Sequence, residues 1–247
     1  MSGHSKWSTI KRKKSAEDAK RGKIFTRIAR EITLAARSGG GDPDTNPSLR
    51  LSIEKARGAN MPKDNIERAV KRGTGELEGG TLEEVIYEGY APHGVALLVK
   101  CLTDNRNRTL SEVRRVFNRS GGNLAEAGAV AWMFDTKGYI AVARDDMDPD
   151  DIFMMAVEAG AEDVEISEDF VEVYTEPSDL HWVREGLVGR GLTVEDAELS
   201  QVPKTMMTLG EKETLQLMTM IESLEELDDV QQVYSNLDIS EEILAMV

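Results

Sequence analysis

The chain has 247 residues, 40% of them hydrophobic, enough for two or three packed cores at the usual domain size of about 100–200 residues. No apolar run approaches the roughly 18 residues needed to span a bilayer, and the polar start before Trp7 lacks a signal-peptide core, so a cytoplasmic protein without membrane contact is expected. A single cysteine, Cys101, excludes an internal disulfide framework.

The formal net charge of -15 argues at first against a polyanionic partner. The charge is segregated, however. Residues 1–75 hold 18 Lys/Arg against 8 Asp/Glu, a net of +10, and residues 76–247 hold 12 against 37, a net of -25. With a Debye length of about 8 Å at physiological salt, a basic module acts on its own partner although an acidic one lies a few nanometres away.

In chain order, Ser15 and Asp18 form a capping box ahead of Ile24, Phe25, Ile28, Ile32 and Ala36, whose three- and four-residue spacing predicts a helix over about 16–37. Gly22 weakens it by roughly 1 kcal/mol relative to Ala and predicts a bend or break near it. Residues 38–48, with Gly39-Gly40-Gly41, Pro43 and Pro47, read as a loop. Asn46 as cap and Pro47 as first helical residue open a second helix, with Leu49, Ile53 and Ala56 inward and a stop at Gly58. Pro62 opens a third, which buries Ile66, Ala69 and Val70 and stops at Gly73. The glycine-rich stretch from Arg72 to Gly80 lacks the Gly-Lys-Ser/Thr of a phosphate loop and reads as an interdomain linker.

From Leu82 the pattern becomes that of strands: 84–90, a turn at Ala91-Pro92-His93-Gly94, and 95–99 running into Cys101. A helix over about 110–119, capped by Thr109 with Glu112, follows, then strands near 123–125 and 130–134. Residues 138–202 read β (139–143), α (149–159), β (164–167), β (170–175), α (178–190), β (193–200), the ferredoxin-like order. A strand at 205–209, a long helix with Leu215, Met218, Ile221, Leu224 and Leu227 on one side, and a strand at 230–234 need a sheet to join. The expected fold is therefore α+β and multidomain: a basic three-helix domain (1–78), an α+β domain built from 79–137 plus 203–247, and a ferredoxin-like domain (138–202) inserted into it.

Phosphate neutralisation requires dense cations, and the N-terminal set supplies them: Lys6, Lys11, Arg12, Lys13, Lys14, Lys20, Arg21, Lys23, Arg27, Arg30 and Arg37, interleaved with His4, Trp7 and Phe25. Lys20, Lys23, Arg27 and Arg30 stand three or four residues apart, largely clear of the apolar stripe, so one helix face can track a phosphate backbone. Trp7 either stacks on an unpaired base or covers the bundle, and the lysine-rich face is otherwise simply a solvated one. A second group, Arg106, Arg108, Arg114, Arg115 and Arg119, begins where a strand hands over to a helix. It is open between anion binding at a helix N-terminus and pairing with local carboxylates.

Catalytic and metal-dependent readings find no support in the residue inventory. The histidines His4, His93 and His181 and the lone cysteine fall on different elements, with no zinc-like spacing. The acidic run from Asp145 to Asp151 lacks the glycine and glutamate of a calcium loop, whereas Asp148-Pro149 makes an ordinary helix start. A non-enzymatic protein with no cofactor and no metal is expected.

The segments Gly3-His-Ser-Lys-Trp7, Asp18-Ala-Lys-Arg-Gly-Lys-Ile-Phe-Thr26, Asn60-Met-Pro-Lys-Asp-Asn-Ile-Glu-Arg-Ala-Val70, Tyr87-Glu-Gly-Tyr-Ala-Pro-His-Gly-Val95, Thr103-Asp-Asn-Arg-Asn-Arg-Thr109 and Ser120-Gly-Gly-Asn123 closely resemble the YebC/PmpR family. The resemblance implies a helical domain followed by two α+β domains, the ferredoxin-like one inserted in the other. It also implies a regulator of gene expression: family members are described as DNA-binding transcriptional regulators, mitochondrial relatives as translational activators, and some bacterial members as ribosome-associated factors that relieve stalling at proline-rich stretches. DNA and ribosomal RNA thus both stand as partners, with the ribosome behind the second. A recognition helix of familiar type is not apparent. An adaptor whose acidic ferredoxin-like surface binds a basic protein is the alternative of another class. A monomer is expected.

Overall fold

A computed structural model of the chain describes residues 18–77, 82–145, 147–167, 170–240 and 242–243. It falls into two compact units, Phe134–Thr205 and the remainder of the described chain.

Within the larger unit, three helices come first: α1 (Asp18–Gly39), α2 (Pro47–Gly58) and α3 (Lys63–Thr74). The Ser15 cap lies outside the described residues. α1 runs through Gly22 as a continuous helix, without a break, and extends two residues past Arg37. Its apolar stripe buries Ile28, Ile32 and Ala36 against Leu49 and Ala56 of α2 and Ile66 and Ala69 of α3. Asn46 ties the junction of α1 and α2. Its Oδ1 accepts the Leu49 N–H at 3.1 Å as the expected cap, while its Nδ2 donates to the carbonyls of Ala35 and Gly40 at 2.8 Å each.

Pro62 sits at the cap of α3 rather than inside it, and the helix ends at Gly75, in the left-handed region at φ 83°, not at Gly73. Gly73 has a different task. A Cβ there would stand 2.5 Å from the Thr33 carbonyl oxygen and 2.6 Å from the Ala36 Cβ, so its missing side chain lets α1 and α3 approach closely.

The chain then enters an antiparallel sheet of order β3-β1-β2-β9, made of β1 (Glu83–Tyr90), β2 (Ala96–Thr103), β3 (Asn123–Leu124) and β9 (Val230–Ser235). Between β2 and β3 runs α4 (Arg106–Ser120), and the helix preceding β9 is α7 (Glu211–Glu225). Val113 and Phe117 of α4 and Leu217, Ile221 and Leu224 of α7 share one core with Leu97, Val99, Val230 and Val233 of the sheet. The return of the chain to pair β9 with β2 makes the intervening residues an insertion. α4 starts four residues earlier than expected because Asn105, not Thr109, is its cap, accepting the Arg108 N–H at 3.1 Å. Residues 131–133 form a 3-10 turn in place of the expected strand. A two-residue parallel ribbon joins β8 (Met207–Thr208) to β10 (Leu237–Asp238).

The inserted unit contains β4 (Phe134–Ala143), α5 (Pro149–Ala159), β5 (Asp163–Ile166), β6 (Phe170–Thr175), α6 (Leu180–Gly189) and β7 (Val194–Pro203). Its sheet order β5-β6-β4-β7, with all neighbours antiparallel, is the ferredoxin-like arrangement. Asp148 caps α5 by accepting the Asp150 N–H at 3.1 Å, with Pro149 in the first helical position, so the acidic run begins a helix as expected. Ile140, Val142, Val171 and Val173 pack beneath Ile152, Ala156, Val183 and Leu187 of the two helices.

Candidate nucleic-acid interface

His4, Lys6, Trp7, Lys11, Arg12, Lys13 and Lys14 lie outside the described residues, and Lys20 and Arg21 are described only as backbone in the first turn of α1. The other expected contacts are placed. Lys23 is exposed, yet its Nζ donates to the Glu226 carbonyl at 3.0 Å. Arg27 is half-buried on the same helix. Arg30 pairs with Asp229 at 3.0 Å and donates to the carbonyls of Asp228 and Leu102. Arg37 donates to the Leu82 carbonyl at 3.2 Å. Lys23, Arg30 and Arg37 recur every seven residues and so occupy one face of α1. That face reaches carbonyls and a carboxylate of the neighbouring α+β domain.

The centre of this junction is Asp229, a residue that no local motif marks. Its carboxylate, 2% exposed, takes the Arg30 ion pair on Oδ1, and on Oδ2 hydrogen bonds from Arg108 at 2.7 Å, Thr109 at 2.7 Å and Thr103 at 3.1 Å. α1, the β2–α4 corner and the start of β9 thereby meet at one anion. Burial alone would raise its pKa, but the hydrogen bonds from Arg108 and Thr109 and the charges of Arg30 and Arg108 outweigh it and hold the carboxyl below the ordinary carboxylate range. Arg108 also donates to Asp104 at 2.9 Å, and its guanidinium is raised further by both acids. Arg106 is exposed and stands 3.8 Å from Glu83.

The structure thus divides the second basic group. Its first two members pair with carboxylates, while Arg114, Arg115 and Arg119 are exposed on the outer side of α4 with no ion pair to any described residue. Arg57, Lys71 and Arg72 are likewise exposed and unpaired among the described residues. Arg57 and Lys71 border a shallow cleft of 460 Å³ between α2 and α3, together with Lys63, Ile66 and Val70. Glu67, which stands 3.6 Å from Lys63, and Glu76 line the same cleft, so Arg57 and Lys71 are the cations it leaves available to a phosphate. Among the described residues no cluster of three or more His, Cys, Asp or Glu could hold a metal ion, and no helix is long and apolar enough to cross a membrane.

Two family models cover most of the chain, the TACO1/YebC N-terminal domain over residues 5–76 and the TACO1/YebC second and third domain over residues 82–237. Full-length relatives are similar throughout. A protein of Persephonella marina named "probable transcriptional regulatory protein" is 54% identical over all of both chains, and one of Trichlorobacter lovleyi with the same name is 56% identical over 97% of each. The crystal structure of a conserved hypothetical protein, Aq1575 from Aquifex aeolicus, superposes with a TM-score of 0.86 at 49% identity, covering 92% of this chain and 94% of that one. Placed beside the observed fold, these matches establish that the chain belongs to the TACO1/YebC family.

Proposed function

We propose that this chain is a non-enzymatic regulator of gene expression that binds nucleic acid, with residues 1–75 as the principal contact. The observation that carries the reading is the segregation of charge: a net of +10 in the first 75 residues of a chain whose overall net is -15. The names of the relatives support a regulatory role, and DNA is the target that those names favour. Because Lys23, Arg30 and Arg37 already have partners in the α+β domain, phosphate contact falls to the arm, Lys6 and Lys11 to Lys14, to Lys20 and Arg21, and to the cleft cations Arg57 and Lys71. The acidic remainder limits indiscriminate binding by repelling polyanions. The protein acts in the cytoplasm, as a monomer of three domains, the second interrupted by the third.

Ribosomal RNA is the second reading, favoured by an exposed tryptophan, Trp132, in a chain with few aromatics, since unpaired bases are the usual targets of stacking. Sedimentation of cell extract at low and moderate salt separates the two. A footprint on a promoter with no ribosome co-migration supports the transcriptional role. Co-migration that survives moderate salt supports the translational one, and binding to neither overturns the proposal.

A further inference from the structure

We infer that Trp132 is a stacking platform for an unpaired nucleobase, flanked by the arginines of α4; the inference rests on the nucleic-acid reading above and adds a second contact surface to it. Trp132 is 67% exposed, an unusual state for the largest apolar side chain. Its indole N–H donates to the Ala129 carbonyl at 3.0 Å, so the one polar atom is satisfied and the ring is held by its edge with much of its surface left to solvent.

The loop that carries it is held rigidly. Glu88 of β1, 6% exposed, gives both carboxylate oxygens to backbone N–H groups of that loop: Gly128 at 2.6 Å, Val130 at 2.8 Å and Ala131 at 2.8 Å. The Tyr90 hydroxyl donates to the Ala129 carbonyl at 3.1 Å, and the Ala125 N–H donates to the Glu88 carbonyl at 2.8 Å. Burying a carboxylate is costly unless it is fully hydrogen-bonded, and here every partner of that carboxylate is the loop. An exposed aromatic on so constrained a loop is pre-organised, which removes the ordering cost that a flexible one would incur on binding.

The same tyrosine connects the loop to the basic helix. Tyr90 pairs with Asn123 of β3, two residues after the left-handed Gly121 that ends α4, and a Cβ on Gly122 would stand 2.8 Å from the Tyr90 carbonyl oxygen. Tyr90 therefore links the chain just past the end of α4 to the Trp132 loop, and Arg119, Arg115 and Arg114 form the exposed basic surface of the helix that leads into it. From Asn105 to Met133 the chain carries five arginines against only Glu112 and Glu126, in a protein that is acidic overall. Cations beside an exposed aromatic ring are what single-stranded nucleic acid requires: charge for the backbone and a π-face for a base. Trp182 lacks this setting. It is 74% exposed and in ring contact with His181, but its unit, residues 134–205, holds 5 Lys/Arg against 19 Asp/Glu and would repel a phosphate chain.

The test compares full-length wild type with Trp132→Ala, Trp132→Phe and Glu88→Gln for binding to a single-stranded RNA of about 12 nucleotides, the equivalent DNA, and a blunt duplex of the same sequence. Trp132→Ala is expected to weaken single-strand binding by about 5- to 160-fold, the range for loss of one stacked base, while duplex affinity changes by less than about twofold. Trp132→Phe retains most of the affinity but loses much of the quenching of indole emission that saturation causes in wild type. Glu88→Gln weakens single-strand binding without changing its dependence on salt. The inference is overturned if Trp132→Ala leaves single-strand binding unchanged, or weakens single strand and duplex alike. Binding of wild type to none of the three probes overturns the proposed function itself, a distinguishable result. Preference between the RNA and DNA strands identifies the polymer.

Discussion

Replacing Asp229 by Asn removes the charge at the junction of α1, β2, α4 and β9 while keeping the shape of the side chain. The lost interactions are the Arg30 ion pair at 3.0 Å and a charge-assisted bond from Arg108 at 2.7 Å, and the bonds from Thr109 and Thr103 lose their ionic acceptor. A hydrogen bond to a charged group contributes about 1.5–3 kcal/mol, and breaking a buried pair costs about 3–5 kcal/mol when the partner is left dry. Neither guanidinium is left dry, since Arg30 is 21% and Arg108 44% exposed, so the expected loss is about 2–4 kcal/mol. For a unit of this size that lowers Tm by about 4–16 °C, read by calorimetry. The pH dependence has a definite sign. Asp229 has a folded pKa below its ordinary value, so its stabilisation is fully present above about pH 4 and is lost as pH falls through the lowered folded value. The stability gap between wild type and Asp229→Asn should therefore be widest near neutrality and narrow in acid. A double-mutant cycle with Arg30→Met should give a coupling of about 1–2 kcal/mol at neutral pH. A coupling below about 0.5 kcal/mol, or a gap that does not change with pH, would refute the account of the junction.

Two glycines of the helical domain should respond in opposite senses to alanine. Gly73→Ala meets the Thr33 carbonyl and Ala36, and is expected to cost about 1–3 kcal/mol, whereas Gly22→Ala enters open space and is expected to stabilise by up to about 1 kcal/mol; urea denaturation measures both. Cys101 is fully buried, and burial followed by the nearby Asp229 charge pushes its thiol pKa up to about 12. It should resist alkylation near pH 8 in the native protein, roughly the pKa of a free thiol, and react fully in denaturant.

Much of the fold was legible because its signals are local. The alternation of strands and helices over residues 138–202, the Asn46-Pro47 cap and the Asp148-Pro149 start each rest on neighbours within a few positions, and the observed elements follow them closely. The departures have distant causes. Thr109 has the chemistry of a cap, but its hydroxyl is taken by Asp229, 120 residues away, and Asn105 caps instead. Residues 130–134 have the apolar pattern of a strand, yet Glu88 captures the N–H groups of Val130 and Ala131, and a turn results. Gly73 reads as a stop because its closeness to α1 is invisible in sequence.

The candidate site divides in the same way. Counting cations was enough to find the basic regions, but not to tell Arg30 and Arg108, engaged with Asp229, from Arg114, Arg115 and Arg119, which have no such partner among the described residues. Partner choice there depends on a carboxylate brought in by the last strand of the sheet. Trp132 gave no signal of its own, since only its exposure and the buried Glu88 distinguish it from a core aromatic.

The central claim is tested most directly by the salt dependence of duplex DNA binding for wild type and for the protein with Lys11, Arg12, Lys13 and Lys14 replaced by Ala. Neutralisation of about 6–8 phosphates predicts that log K falls with log salt at a slope of about -5 to -7, and that the replacements weaken binding across unrelated sequences while making the slope shallower by about 3–4. An affinity independent of salt, or an unchanged slope in the substituted protein, would contradict the claim that the basic N-terminal module grips the phosphate backbone.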